Sequence, residues 1–277
     1  MSGTAGLLGD SATRDYARKL QLFNASAAPE LRSAIASLGL APGIRVLDAG
    51  CGTGEALRWL GDEVGAGGMV VGIDLATAHL AAARAHAAPE HLVAQADVQK
   101  PPLFPGSFDL VWSVNTVNHL REPERGVRTL ATLLRSGGAL ALGQSGFLPD
   151  MVFAWDARLE HAVTAAVRRY YRERYRVSEQ DLTAVRALLG LLRAAELRNV
   201  TVRTFPIERI TPLAPADEAY LLEAVFHGTW GERLRPYLSA EDYSQLRRLC
   251  DAQCDEYALR RPDFHFLQTF TLAVGYR

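Results

Sequence analysis

Cysteine is scarce: Cys51, Cys250 and Cys254 are the only three in 277 residues. They are too few and too scattered for a disulfide framework, which points to a reducing compartment. No apolar run reaches membrane-spanning length. The opening MSGTAGLLGDSATRDYARKL has neither the basic segment nor the apolar stretch of a signal peptide, so a soluble cytoplasmic protein is expected. Excess charge of either sign is also missing. Lys+Arg 30 against Asp+Glu 31 leaves a formal net charge of −1, so nothing global draws the chain to phosphate backbones or anionic lipid, and no nucleic-acid partner is expected. Repeats and low-complexity segments do not occur. No histidine or third cysteine stands at finger-like spacing from Cys250 and Cys254, so no metal is assigned; the two, four apart on a predicted helix, read as core.

What is present is apolar and regularly interrupted. A hydrophobic share of 48% supplies a full core for one domain over residues 1–277. Strand-length runs alternate with helical patterns: RVLDAG, TGEALRWLGDEVG, MVVGIDL, TAHLAAARAHA, HLVAQAD, FDLVWSV, ERGVRTLATLLRSG, GALALGQ. That alternation predicts βαβ units and a doubly wound parallel sheet of the Rossmann-like α/β class. Runs such as VVGI and ALAL are apolar throughout because helices cover both sheet faces. Residues 1–40 read as a helical cover, 41–206 with 264–277 as the core, and 207–263 as a helical insertion over the acceptor side. The terminal FHFLQTFTLAVGYR is expected to close a sheet edge as an antiparallel strand.

The stretch VLDAGCGTG places Gly50, Gly52 and Gly54 after the first strand, where missing Cβ atoms and positive φ would let a ligand approach the main chain. A dinucleotide fingerprint starting at Gly50 would need glycine at position 55, which is Glu55. Asp48, at the strand end, would repel a pyrophosphate and attract an ammonium or sulfonium. Asp74 ends the second strand, placed to take two ribose hydroxyls, and Asp97 ends the third, placed to accept from an adenine amino group. Three strand-end acids around one glycine loop describe an adenosine-bearing cation.

In order and spacing, VLDAGCGTG, the acid of GID, the acid of QAD, SFDLVWSVNTVNHL and LLRSGGAL resemble the class I S-adenosylmethionine-dependent methyltransferases, from about Arg45 to Gln144. The resemblance implies a seven-stranded sheet with its last strand antiparallel and a helical cap. It also implies S-adenosylmethionine as cofactor, with Asp48, Gly50, Cys51, Gly52 and Gly54 at the methionine end, Asp74 at the ribose, Leu75 in the cofactor site, Asp97 and Val98 at the adenine, and a main-chain contact at Asn115. No amino-directed N/D-P-P-Y/F motif follows the fourth strand, so the expected acceptor is a small, partly apolar metabolite: a quinone, polyketide or other secondary metabolite. Candidate acceptor contacts are Tyr16, Phe147, Met151, Trp155, Phe226 and Trp230, and His119 is the candidate general base. RRYYRERYR reads as a solvated helix face rather than a nucleic-acid site. Three other readings stand beside this one: the same fold running a different reaction on the bound cofactor, a dinucleotide oxidoreductase, and a non-enzymatic binding protein. Oligomeric state is left open.

Overall fold

The computed structural model describes residues 17–89, 91–146, 152–153, 156–175 and 184–277. Five parallel strands form one side of the sheet: β1 (Arg45–Ala49), β2 (Met69–Asp74), β3 (Leu92–Gln95), β4 (Phe108–Val114) and β5 (Leu134–Ser145). The short β6 (Val152–Phe153), the long β7 (Arg198–Ile210) and β8 (His265–Tyr276) complete it, in the order β3-β2-β1-β4-β5-β8 with β7 beyond β8. β8 runs antiparallel to β5, β6 and β7. Strand order reverses between β1 and β4, the point at which ligands bind at the carboxyl ends of the strands in open α/β sheets.

Alternation along each strand explains the two cores. Val46, Leu110 and Trp112 face one cluster, shared with α1 (Ala17–Ser26), α2 (Ala28–Ala36) and α3 (Glu55–Val64). Leu47, Val111 and Leu140 face the other, shared with α5 (Pro123–Thr132) and α7 (Ala184–Ala194). Between β2 and β3 lies α4 (Thr77–His86), with His79, Leu80 and Ala83 buried on its inner side. The long α6 (Ala157–Tyr175) packs toward the segment that follows β7.

That segment begins with α8 (Pro215–Ala219), which continues directly into a π-helical stretch, Tyr220–Thr229. A 3-10 turn at Glu232–Tyr237 and α9 (Ala240–Cys250) follow. RRYYRERYR is used within the chain: Tyr170 meets Tyr237 edge to face at 6.0 Å, Arg233 lies over Tyr170, and the Tyr237 hydroxyl donates to Glu173 at 3.0 Å.

Four expectations change. β8 is an interior strand, because the longer β7 pairs along its outer side and takes the edge itself. The insertion starts after Ile210, since β7 continues through the residues assigned to it. The helix before β5 stops at Thr132, and Ser136, Gly137 and Gly138 lie in β5, where its register with β4 shifts. α9 stops at Cys250, so Cys254 sits in the following turns and shares no helix face with it.

One buried polar network joins the amino-terminal helices to the segment after β7. The Arg209 guanidinium donates to both oxygens of Glu30 (2.8 and 3.0 Å), to Asp217 (2.7 Å) and to the Ser26 carbonyl (2.6 Å). The Ser26 hydroxyl also donates to Asp217, at 2.7 Å. Removing the cation leaves two carboxylates poorly hydrated and facing each other. Arg209→Leu should cost about 3 to 5 kcal/mol in urea unfolding, the range for breaking a buried pair from one side. A loss under about 1 kcal/mol, the scale of a surface pair, would show the network to be solvated.

Candidate functional site

The glycine loop between β1 and α3 has Gly50, Gly52 and Gly54 all at positive φ, of 85°, 53° and 89°. Two of the missing Cβ atoms serve the protein rather than a ligand, which corrects the reading of a wholly ligand-facing bare turn. A Cβ on Gly50 would lie 2.2 Å from Thr116 Oγ1, and one on Gly54 would lie 2.5 Å from the Ala83 Cα of α4. At Gly52 the nearest atom is Leu20 Cδ1 of α1, at 3.3 Å. The loop is therefore clamped between the β4 exit, α4 and α1.

Four of its main-chain donors are already engaged. Gly50 N and Cys51 N both donate to the Ile73 carbonyl (2.8 and 2.9 Å), Gly52 N donates to Asp74 Oδ2 (2.9 Å), and Gly54 N donates to the Cys51 carbonyl (3.0 Å). A pyrophosphate cradle needs such N–H groups directed at the anion. Acids surround the loop instead.

Asp48 is 2% exposed, and its Oδ2 is buried with no hydrogen-bond partner. Burial, reinforced by the negative charges of Asp74 and Glu55, raises its carboxyl from the ordinary 3.8 to about 8. An acid in that state fits a cationic ligand, whose charge would offset the desolvation of the carboxylate. Burial and the same acids also raise the Cys51 thiol well above its ordinary range, so Cys51 is a packing residue and not a thiolate.

Asp74 behaves oppositely. Burial opposes its charge, but contact with His79 and hydrogen bonds from the Ala76 and Gly52 amides hold its carboxyl below the usual range. Ala76 N donates to Oδ1 at 2.8 Å. Leu75 follows, 42% exposed, and its carbonyl accepts from Gln95 at the end of β3. Asp97 turns the chain after β3, accepting from Gln99 N at 2.8 Å, and Val98 beside it is buried.

At the β4 exit Asn115 adopts φ 53°, a left-handed conformation that asparagine tolerates better than most residues. Its Oδ1 accepts from Ser145 N (2.8 Å), Ser145 Oγ (2.7 Å) and Gln144 Nε2 (3.0 Å), which ties the β4 exit to that of β5. His119 lies in the next turn, Val117–His119, partly exposed, with its N–H on the Thr116 carbonyl. Asp48, the glycine loop, Asp74 and Asn115 thus converge at one sheet edge.

The acceptor contacts do not gather in the same way. Phe226 and Trp230 are 0% and 4% exposed and stack at 5.6 Å inside the core of the segment after β7. Tyr16, Phe147, Met151 and Trp155 lie outside the described residues or their described side chains. Sequence reading missed His79, Asn24 and Gln144. Asn24 of α1 donates to Glu55 at 2.8 Å, which brings the amino-terminal helix onto the loop. None of the three carries a signal in isolation, because each acts through a partner at least five positions away.

The proton on Asp48 sets a stability slope. A folded-state carboxyl raised from 3.8 to about 8 holds a proton that the unfolded chain releases over that range. Its contribution to unliganded stability is fully present below about pH 4 and is lost as pH rises to about 8. The difference in melting temperature between wild type and Asp48→Asn should therefore widen with pH across this window, the variant becoming relatively more stable. Parallel curves would mean that Asp48 is hydrated and ordinary.

Residues 47–142 match the family described as Methyltransferase domain. The chain is 35% identical over 147 residues to a malonyl-[acyl-carrier protein] O-methyltransferase of Pseudescherichia vulneris, covering 51% of this chain and 57% of that one. It is 36% identical over 120 residues to the 27-O-demethylrifamycin SV methyltransferase of Amycolatopsis mediterranei, covering 41% and 43%. The chain spans about half the length of the curated relatives it matches. Among solved structures, the YcgJ protein of Bacillus subtilis has the same fold, with a TM-score of 0.56 at 16% identity, covering 90% of this chain and 99% of that one. The motif order, strand order and glycine loop of this chain agree with these matches, and residues 47–142 are similar to a methyltransferase domain.

Proposed function

We propose that this chain binds S-adenosylmethionine and transfers its methyl group to a small, partly apolar metabolite, of the quinone, polyketide or other secondary-metabolite kind. The observation that carries the reading is the buried Asp48 beside a loop with the amides of Gly50, Cys51, Gly52 and Gly54 already engaged: a site that disfavours an anion and suits a cation. The malonyl-carrier and rifamycin methyltransferases among its relatives support the acceptor class. Bound there, S-adenosylmethionine supplies an electrophilic methyl on sulfonium.

The residues then have limited but specific work. Asp48 and the Gly50–Gly54 backbone hold the methionine end, with the main chain of Asn115 beside it. Asp74 accepts from the ribose hydroxyls, and Leu75, Asp97 and Val98 border the adenine. Positioning alone is worth about 7 to 11 kcal/mol of barrier in well-oriented reactions, so orientation is the main contribution asked of the chain. Charge is dispersed as nucleophile meets cation, and a dry site favours that. Leu20 and Asn24 of α1 cover the loop. His119, at the β4 exit, takes the proton of a hydroxyl acceptor.

Calorimetry should show S-adenosylhomocysteine binding and no binding of nicotinamide dinucleotides, and Asp74→Ala should cost about 2 to 3 kcal/mol through two lost charge-assisted bonds. Unchanged affinity in that variant would remove the ribose assignment. Incubation with methyl-labelled cofactor and metabolite extracts should move label into an apolar fraction. Binding without any transfer would favour a cofactor-binding protein or another reaction on the same fold.

With an acceptor that takes label, His119→Gln should lower kcat by about 10² to 10⁴ and leave cofactor affinity intact. The same pH dependence and turnover in the variant would return His119 to a packing role.

A further inference from the structure

His79 stands in the first turn of α4 among residues that would ordinarily be apolar. Its neighbours on the buried side of the helix are Leu80 and Ala83, and a leucine would fill such a position without the cost of burying ring nitrogens. The side chain is 9% exposed, with Nδ1 3.4 Å from Asp74 Oδ1. The same carboxylate takes the Gly52 amide on Oδ2 and the Ala76 amide on Oδ1. Three elements thus meet on one acid: the glycine loop, the entry to α4 and, through His79, the packed face of that helix. α4 is itself held against the loop, because Ala83 occupies the space that a Gly54 side chain would need. A ring on this helix can therefore fix the carboxylate relative to the loop it bonds.

We propose that His79 is a positioning residue for the ribose site, holding the Asp74 carboxylate in the orientation it shares with Gly52 and Ala76. This rests on the reading of Asp74 as the ribose acid. The two main-chain bonds restrain one side of each oxygen, and the imidazole is the side-chain group that opposes rotation toward α4. Without it, only the Ala76 and Gly52 amides oppose the effect of burial on Asp74, so the balance moves toward the neutral acid, a poorer acceptor for two hydroxyls. The other titratable groups that interact with the acid are Asp48 in β1 and Cys51 in the loop, with Glu55 at the start of α3 beside those two, and none of these is a cation.

The test is a double-mutant cycle on the full chain, with S-adenosylhomocysteine binding measured by calorimetry between pH 5 and 9 for wild type, His79→Leu, Asp74→Asn and the double variant. His79→Leu should weaken binding about tenfold at neutral pH, the scale of one charge-assisted contact. In the Asp74→Asn background the same substitution should change affinity by less than about twofold. The acid limb of binding should also move to higher pH in His79→Leu, because the carboxyl it leaves behind protonates more readily. His79→Gln keeps a side-chain donor and should recover part of the loss, and it stands in for the leucine variant if melting shows that one to be unfolded. An equal loss in both backgrounds, or an unmoved acid limb, would make His79 simple packing and overturn the proposal. If Asp74→Asn itself binds like wild type, the ribose reading of Asp74 falls first and the inference with it.

Discussion

The Asp74 carboxylate is the point on which the site's arrangement turns. One oxygen holds the glycine loop through Gly52 and the other starts α4 through Ala76, so the exit of β1 and the exit of β2 are fixed by a single side chain. The glycines are shaped around that connection. Gly54 lets α4 approach the loop and Gly50 lets the β4 exit approach it, and in both cases a Cβ would displace protein atoms. The compactness of the loop at the strand ends is thus a packing result.

Two neighbouring acids differ in chemistry because their surroundings differ. Asp74 receives two amides and a histidine contact and is held charged, whereas Asp48 has a buried oxygen with no partner and is held near neutrality. A site built this way stores the cost of one buried acid until a positive ligand arrives. It would discriminate by charge before it discriminates by shape. The engaged loop amides act in the same direction, since they leave an anion little to bind.

Around this centre the remaining chain supplies enclosure. α1 reaches the loop through Leu20 and Asn24, and the Arg209 network links α1 and α2 to β7 and α8. The π-helical stretch widens the coil at Tyr220–Thr229 and buries Phe226 against Trp230. These aromatics give the segment its internal packing.

Much of this was legible in the order of residues. Alternating apolar runs give a covered parallel sheet because a strand buried on both faces must be apolar throughout, and the D-x-G-x-G-x-G spacing distinguishes this loop from a dinucleotide fingerprint by composition alone. The acids near the ends of β1, β2 and β3 were visible for the same reason, although only Asp74 is a strand's last residue and Asp97 falls two positions beyond β3. The tertiary structure decided what depends on distant partners. The sequence shows neither that β7 takes the sheet edge nor that α9 ends between its two cysteines, because strand pairing and helix ends answer to neighbours many residues away. Nor could it separate the states of Asp48 and Asp74, two aspartates in similar strand-end settings. Their difference comes from burial and from His79, Ala76 and Gly52, which only folding brings to one of them.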